Sequence, residues 1–191
     1  KGHYRSAHPA LIHFSNTNFY GNQLQCLPDL PTVLENEPAF SWTKTEGVWS
    51  EQRNRTDADE AVNKVSEILK VNPEISIGVV TGNFFQMELI SDLLWQSGLG
   101  QANVKVRNIE NVQGDEFDEV VLCLGYARNR DGKLSTNFGL LSKKGGVNRL
   151  NVAISRARKK MHVISSLEAE DFRPKLLENP GLKLLKEYLT F

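Results

Sequence analysis

The run Arg149-Leu-Asn-Val-Ala-Ile-Ser-Arg-Ala-Arg158 concentrates the side chains best suited to meet a phosphate. A guanidinium is planar, permanently charged and able to donate two parallel hydrogen bonds to phosphate oxygens. Read as a helix, the run lines up Leu150, Ala153, Ile154 and Ala157 on one apolar stripe. Arg149 and Arg156, seven positions apart, then point the same way beside that stripe, and Arg158 points elsewhere. The same decapeptide is compatible with a solvated basic face, because charged helix faces are common. The rest of the chain must decide.

Other chemistry is thinly represented. His3, His8 and His13 recur every five residues, a spacing that places no two on one helix face, so they read as surface or packing histidines rather than metal ligands. Cys26 and Cys123 form no CxxC pair, and Cys123 lies in an apolar run, which points to a reducing compartment. Trp42, Trp49 and Trp95 could stack on bases, but their surroundings read as packing. No Gly-x-x-x-x-Gly-Lys-Ser/Thr occurs, and no strand ends in an Asp-Glu pair fit for Mg²⁺ and a general base.

The totals permit one domain with a real core: 191 residues, 40% apolar and 24% charged. Lys+Arg and Asp+Glu both number 23, so net charge points to no partner. The distribution is uneven. From Ala127 to Lys160 there are ten Lys/Arg against one acid, Asp131, whereas Pro28 to Lys70 holds nine acids and five bases. A basic stretch on a neutral protein fits a nucleic-acid or nucleotide face, and a merely solvated surface looks the same. No apolar run approaches the roughly 20 residues of a membrane span, and no secretory leader is visible, which sets the expectation of a cytoplasmic location without a membrane partner. The opening at Lys1 without Met suggests a piece of something longer.

The elements that position these residues can be read in order. Pro9 opens a short helix seated by Ala10, Leu11, Ile12 and Phe14. Phe40-Ser-Trp-Thr and Val48-Trp-Ser alternate around Glu46-Gly47 and read as a hairpin or two edge strands within a region of about 28–56. Thr56 or Asp57 is expected to cap a helix running to Val71, with Ala61, Val62, Val65, Ile68 and Leu69 as its stripe and Asn72-Pro73 as its stop. Ile75–Val80 reads as a buried strand, Phe84–Gln96 as a helix and Val104–Arg107 as a strand. Asn111–Glu116 reads as a loop, and Glu119–Leu124 as a second buried strand. The connection from Ala127 to about Gly146 has little periodicity, and loops of that length are usually functional or mobile. Met161–Ser165 reads as a strand, with a last helix around Leu182–Leu189. Strands alternating with helices predict an α/β fold: a parallel sheet covered on both faces.

Four segments, in order, then resemble the second RecA-like domain of superfamily 1 helicases, in the group that includes the nonsense-mediated-decay RNA helicase and bacterial and archaeal DNA-acting relatives. They are Tyr4-Arg-Ser-Ala-His-Pro-Ala-Leu, Gly78-Val-Val-Thr with Gln86, Ile109-Glu-Asn-Val-Gln-Gly-Asp-Glu-Phe-Asp, and Arg149 to Arg158. The resemblance covers about residues 3–166, and the run Asp131 to Leu141 resembles a bacterial subgroup. It implies a three-layer RecA-like fold of the P-loop NTPase type that lacks its own P-loop. It implies catalytic roles for Arg5, at the γ-phosphate, and Arg156, as an arginine finger. Glu116 is implied at the nucleotide ribose, with Gln113 and Gly114 shaping its loop and Arg149 beside the nucleotide or bracing the 126–148 loop. Thr81 is implied at the nucleic-acid backbone, although Gly82-Asn83 stands where Pro-Tyr is usual; Lys133, Lys143 and Lys144 are looser candidates for that strand.

The resemblance therefore implies half of a motor. Residues 1–170 form the second RecA-like domain and 171–191 a helical tail. ATP with Mg²⁺ is held mainly by an absent N-terminal RecA-like domain, single-stranded DNA or RNA is tracked, a nuclease domain could follow, and the isolated chain should hydrolyse nothing. The alternative from another class is a helicase-derived nucleic-acid or protein interaction module without motor activity.

Overall fold

The computed structural model describes residues 3–4, 6–26 and 38–191. His3–Tyr4 (β1) and Gln25–Cys26 (β2) form a small parallel pair. The main sheet holds Phe40–Lys44 (β3), Ile77–Thr81 (β4), Val104–Asn108 (β5), Phe117–Cys123 (β6) and Ala157–Ser165 (β7). All its pairings are parallel and its order is β3-β7-β6-β4-β5. Every residue of β4 is buried, as a strand covered on both faces requires.

Helices Arg55–Val71 (α2) and Phe84–Gln96 (α3) cover one face, where Ala61, Val65 and Ile90 meet Ile77, Val79, Val121, Cys123 and Ile164. Helices Pro9–Phe19 (α1), Gly146–Ile154 (α4) and Pro180–Leu189 (α6) cover the other, over Val80, Val120, Leu122, Met161 and Val163. The result is a three-layer α/β RecA-like fold. A one-turn helix, Pro174–Leu177 (α5), precedes α6. Leu182, Leu185 and Tyr188 of α6 share the apolar cluster with Phe14 of α1, the Phe14 and Tyr188 rings standing edge-on at 5.1 Å. Each such fully buried side chain contributes about 1.5–3 kcal/mol relative to exposure.

The Pro9 helix, the Phe84–Gln96 helix and the buried strands form as the sequence suggests, with strand ends shifted by a residue or two. Several expectations are corrected. First, the arginine run is not one helix. The helix ends at Ile154, and Ala157 already pairs with Phe117 in the sheet. The turn tightens at Ser155 and Arg156, whose amides bond the carbonyls of Val152 and Ala153, and the Arg156 carbonyl then accepts the Phe117 amide at 3.1 Å. Tertiary strand pairing overrides the helical periodicity, so Arg149 and Arg156 do not share a helix face.

Second, no hairpin forms around Glu46-Gly47. Phe40–Lys44 is an edge strand, as the other alternative had it, and among the described residues pairs only with β7, while Trp49 turns across the sheet end, its amide on the Arg128 carbonyl at 2.9 Å and its ring 5.0 Å from Tyr126. Trp42 and Trp95, expected to be packed, are 52% and 65% exposed.

Third, α2 starts two residues earlier, capped by Asn54, whose Oδ1 accepts the Asp57 amide at 3.0 Å. Asp57 faces inward and is fully buried. The long 126–148 connection is pinned by Phe138 and Leu141 in the core, by a short 3-10 turn at Gly139–Ser142, and by an Arg128–Asp171 ion pair at 2.6 Å.

Candidate nucleotide and nucleic-acid edges

In a parallel sheet all strands begin on one edge and finish on the other, so topology alone sorts the candidate residues. Arg156 precedes β7, and Gln113, Gly114 and Glu116 precede β6; these lie toward the amino edge. Thr81 ends β4, and the loop carrying Lys133, Lys143 and Lys144 leaves the carboxyl end of β6; these lie toward the opposite edge.

The Arg156 guanidinium is half-buried and oriented by neutral groups. One terminal nitrogen donates to the Asp115 carbonyl at 3.2 Å and the other to the Ser155 hydroxyl at 3.1 Å. Its Nε is buried without a partner, and among the described residues no carboxylate neutralises it. A cation fixed by uncharged acceptors keeps its charge available to an incoming anion. Asp115 and Phe117 both bond to Arg156, so Glu116 lies in the backbone between two anchors of that arginine. Gly114 supplies the left-handed backbone, φ +88°, that this loop turns on, and Gln113 beside it is exposed.

Arg158 is neutralised by Asp118 at 2.8 Å. Burial pushes the Asp118 carboxyl up, but the Ser76 amide and hydroxyl and the charges of Arg158 and Lys159 outweigh it and leave it below the usual range. Arg5 lies outside the described residues. The chain just after it is fixed beside Arg156: the Ser6 hydroxyl donates to the Ala157 carbonyl at 2.9 Å and the Ala7 amide to the Arg158 carbonyl at 2.7 Å.

Arg149 is used elsewhere. Its guanidinium donates to the carbonyls of Lys144, at 2.9 Å, and Leu140, at 3.3 Å, and so closes the loop before α4. This bracing is by hydrogen bonds to carbonyls rather than by a salt bridge. Lys133, Lys143 and Lys144 are exposed.

At the carboxyl edge the structure restricts what Thr81 can do. The residue is fully buried, and its single hydroxyl proton faces the Asn83 carbonyl at 2.9 Å, with the Arg107 carbonyl at 3.3 Å as a weaker, shared acceptor. It shapes the turn and leaves no hydroxyl free for a strand. Gly82 is required there. A Cβ at this position would lie 2.6 Å from the Tyr126 ring and 2.8 Å from the Leu124 carbonyl oxygen, which leaves no room for proline at position 82.

Ligands of α/β sheets usually bind in the crevice beyond the carboxyl ends of the strands. Here that crevice is filled from within. Asp57 Oδ1 accepts the hydroxyls of Thr45 at 2.5 Å and Ser166 at 2.6 Å, and the Ser166 oxygen accepts the Gly47 amide at 3.0 Å. Gln86 exchanges bonds with the Asn54 backbone at 2.8 and 3.0 Å. Burial raises the Asp57 carboxyl above its ordinary value despite the hydroxyls of Ser166 and Thr45, and Oδ2 has no partner. In its ionised form this carboxyl repels a phosphate. Periodicity gave no sign of this cluster, because its members come from four separate segments. Asp115 was equally hidden: its carbonyl holds Arg156 and its carboxylate pairs with Arg107 at 3.0 Å.

Residues 1–168 match the family described as AAA domain. The chain belongs to that family and is a superfamily 1 helicase domain. It is 33% identical, over 206 residues, to the uncharacterized ATP-dependent helicase MG140 of Mycoplasma genitalium, an alignment covering all of this chain and 18% of that protein. The Mycoplasma pneumoniae homolog of MG140 is 32% identical over the same span. The DNA replication ATP-dependent helicase/nuclease DNA2 of Bos taurus is 34% identical over 115 residues, 60% of this chain and 9% of that protein. The helicase domain thus spans about a fifth of the length of the first two curated relatives. Among its described residues no helix is long and apolar enough to cross a membrane, and no group of three or more His, Cys, Asp or Glu could hold a metal ion.

Proposed function

We propose that this helicase domain is the second RecA-like lobe of an ATP-dependent superfamily 1 motor, of the group that includes the nonsense-mediated-decay helicase, with residues 171–191 as its helical tail. Its amino edge completes a nucleotide site carried by an N-terminal lobe. Bound ATP, with Mg²⁺ held by that lobe, supplies the phosphoryl-transfer chemistry. Arg156 places positive charge where negative charge gathers in the transition state, and Arg5 adds a second cation from the segment leading to Ser6. Glu116 receives the ribose, with Gln113 and Gly114 setting its loop. Arg149 braces the 126–148 loop rather than reaching the nucleotide.

The observation that carries the reading is the state of Arg156: oriented by two neutral acceptors, with no carboxylate partner among the described residues and an orphaned Nε. The filled carboxyl crevice supports it from the other side, because the Thr45 and Ser166 hydroxyls there are already taken by the buried Asp57 carboxyl.

The segment between β5 and β6 supplies the coupling. At one end the Ile109 amide bonds the Thr81 carbonyl at 2.8 Å, and at the other Asp115 and Phe117 hold Arg156. Ile109 and Val112 are buried along the way, so the connector lies against the sheet. A change at the nucleotide edge therefore reaches the edge where single-stranded DNA or RNA is tracked, with Lys133, Lys143 and Lys144 as phosphate contacts. The test is an ATPase assay on the isolated chain and on the intact protein, each with and without single strands. The isolated chain is expected to show background turnover only. Substantial turnover by it, lost on Arg156→Ala, would place a complete active site here. An intact protein that binds single strands but hydrolyses nothing would favour the interaction-module reading.

A further inference from the structure

Two large apolar side chains are displayed at the carboxyl edge. Phe84 and Phe85, the first two residues of α3, are 50% and 37% exposed. The helix does not need them for its seat, since its inner face is built from Gln86, Ile90, Leu93 and Leu94. Its cap does not need them either, because the Asn83 side chain accepts the Gln86 amide at 2.8 Å whatever occupies 84 and 85. The rings stand edge-to-face, with centroids 6.0 Å apart and planes at 75°, so they offer differently directed faces.

A cation accompanies them. The Arg53 guanidinium lies 5.8 Å from the centre of the Phe85 ring. Arg53 has no ion pair among the described residues, and its Nε has no hydrogen-bond partner. The turn that carries it is tightly set. Ser50 and Arg53 exchange backbone bonds at 2.9 and 3.0 Å, and Glu51 and Gln52 hold left-handed backbone, φ 51° and 60°. Asn83 Nδ2 then donates to the Gln52 carbonyl at 2.9 Å, tying this turn to the start of α3. Rings and cation are thus positioned before any ligand arrives.

We propose that Phe84 and Phe85, with Arg53, form a base-stacking step for single-stranded nucleic acid. An exposed ring accepts any base, because every base has a π face, and a neighbouring arginine serves the phosphate. The inference rests on the motor reading for the placing of the strand at this edge, and adds a contact to the bases themselves. A protein partner would value the same rings, but a cation beside Phe85 with no ion pair among the described residues suits a polyanion better.

The test uses the intact protein and two fluorescent strands of equal length, an oligothymidylate and an abasic one, followed by anisotropy. The double variant Phe84→Leu/Phe85→Leu keeps apolar bulk and removes the rings. It is expected to bind the oligothymidylate about tenfold or more weakly, with little change for the abasic strand, and Phe84→Tyr/Phe85→Tyr is expected to keep wild-type affinity. Arg53→Gln should weaken both strands and flatten the salt dependence. Wild-type affinity of the Leu variant for oligothymidylate overturns the proposal, and so does equal weakening on both strands. Either result leaves the motor reading standing, whereas a wild-type protein that binds neither strand removes both.

Discussion

At the residue scale, the chain separates charge that is kept available from charge that is consumed. Arg158, Arg107 and Arg128 each have a carboxylate, and Arg149 has two carbonyls; Arg156 is oriented but, among the described residues, not neutralised. This was only partly legible in the sequence. The residue types around Arg156 were visible, but not what each would touch, because the partners are backbone carbonyls set by the fold. Asp57 was read as a helix cap and is instead a buried carboxyl at the sheet end. Its raised pKa means that the folded state binds its proton more tightly than the unfolded chain. The stability contributed by that proton is full below the unfolded value of about 3.8 and is lost as pH rises through the folded value. Asp57→Asn is therefore expected to flatten the fall in stability between acid and neutral pH, measured as the denaturation midpoint of variant against wild type across that range. Parallel profiles would show that Asp57 does not titrate in the folded protein. Gly82→Ala drives a methyl into Tyr126 and the Leu124 carbonyl, and is expected to cost about 1–3 kcal/mol in chemical denaturation.

At the element scale, local signals read well where the element stands on its own. The bounds of Phe84–Gln96 were legible, although its cap proves to be Asn83, and the α2 stripe follows from a simple spacing of Ala, Val and Ile. The signal failed at Ser155 to Ala157, where helical spacing continues into residues that the sheet claims by pairing with Phe117. The same blindness to tertiary partners hid a polar line across three strands: Ser41 Oγ and His162 Nδ1 at 2.7 Å, and His162 Nε2 and Glu119 Oε2 at 2.6 Å. Glu119→Ala leaves a largely buried imidazole nitrogen unpaired and is expected to destabilise the protein by about 1–3 kcal/mol. An unchanged denaturation midpoint would show that water replaces the carboxylate. In the connector between β5 and β6, Gly114→Val cannot hold φ +88° without strain. In the intact protein it is expected to reduce the stimulation of ATP turnover by single strands more than turnover without them.

At the scale of the whole molecule, the two edges of one sheet divide the work. In the proposed motor the amino edge would present Arg156 to a nucleotide, while the carboxyl edge has its usual ligand crevice filled and displays aromatic rings and lysines, and residues 109–116 run between them. The parallel α/β layering was readable from alternating strands and helices. The edge taken by Thr81 and by the 113–116 loop follows from their places after and before strands, but that of Arg156 was hidden, because helical spacing masked the start of β7 at Ala157. The most direct test of this division is Arg156→Ala in the intact protein, with nucleotide binding and single-turnover hydrolysis measured side by side. The account predicts that ATP binding is kept while hydrolysis falls on the order of 10³-fold or more. Hydrolysis close to the wild-type rate would contradict it.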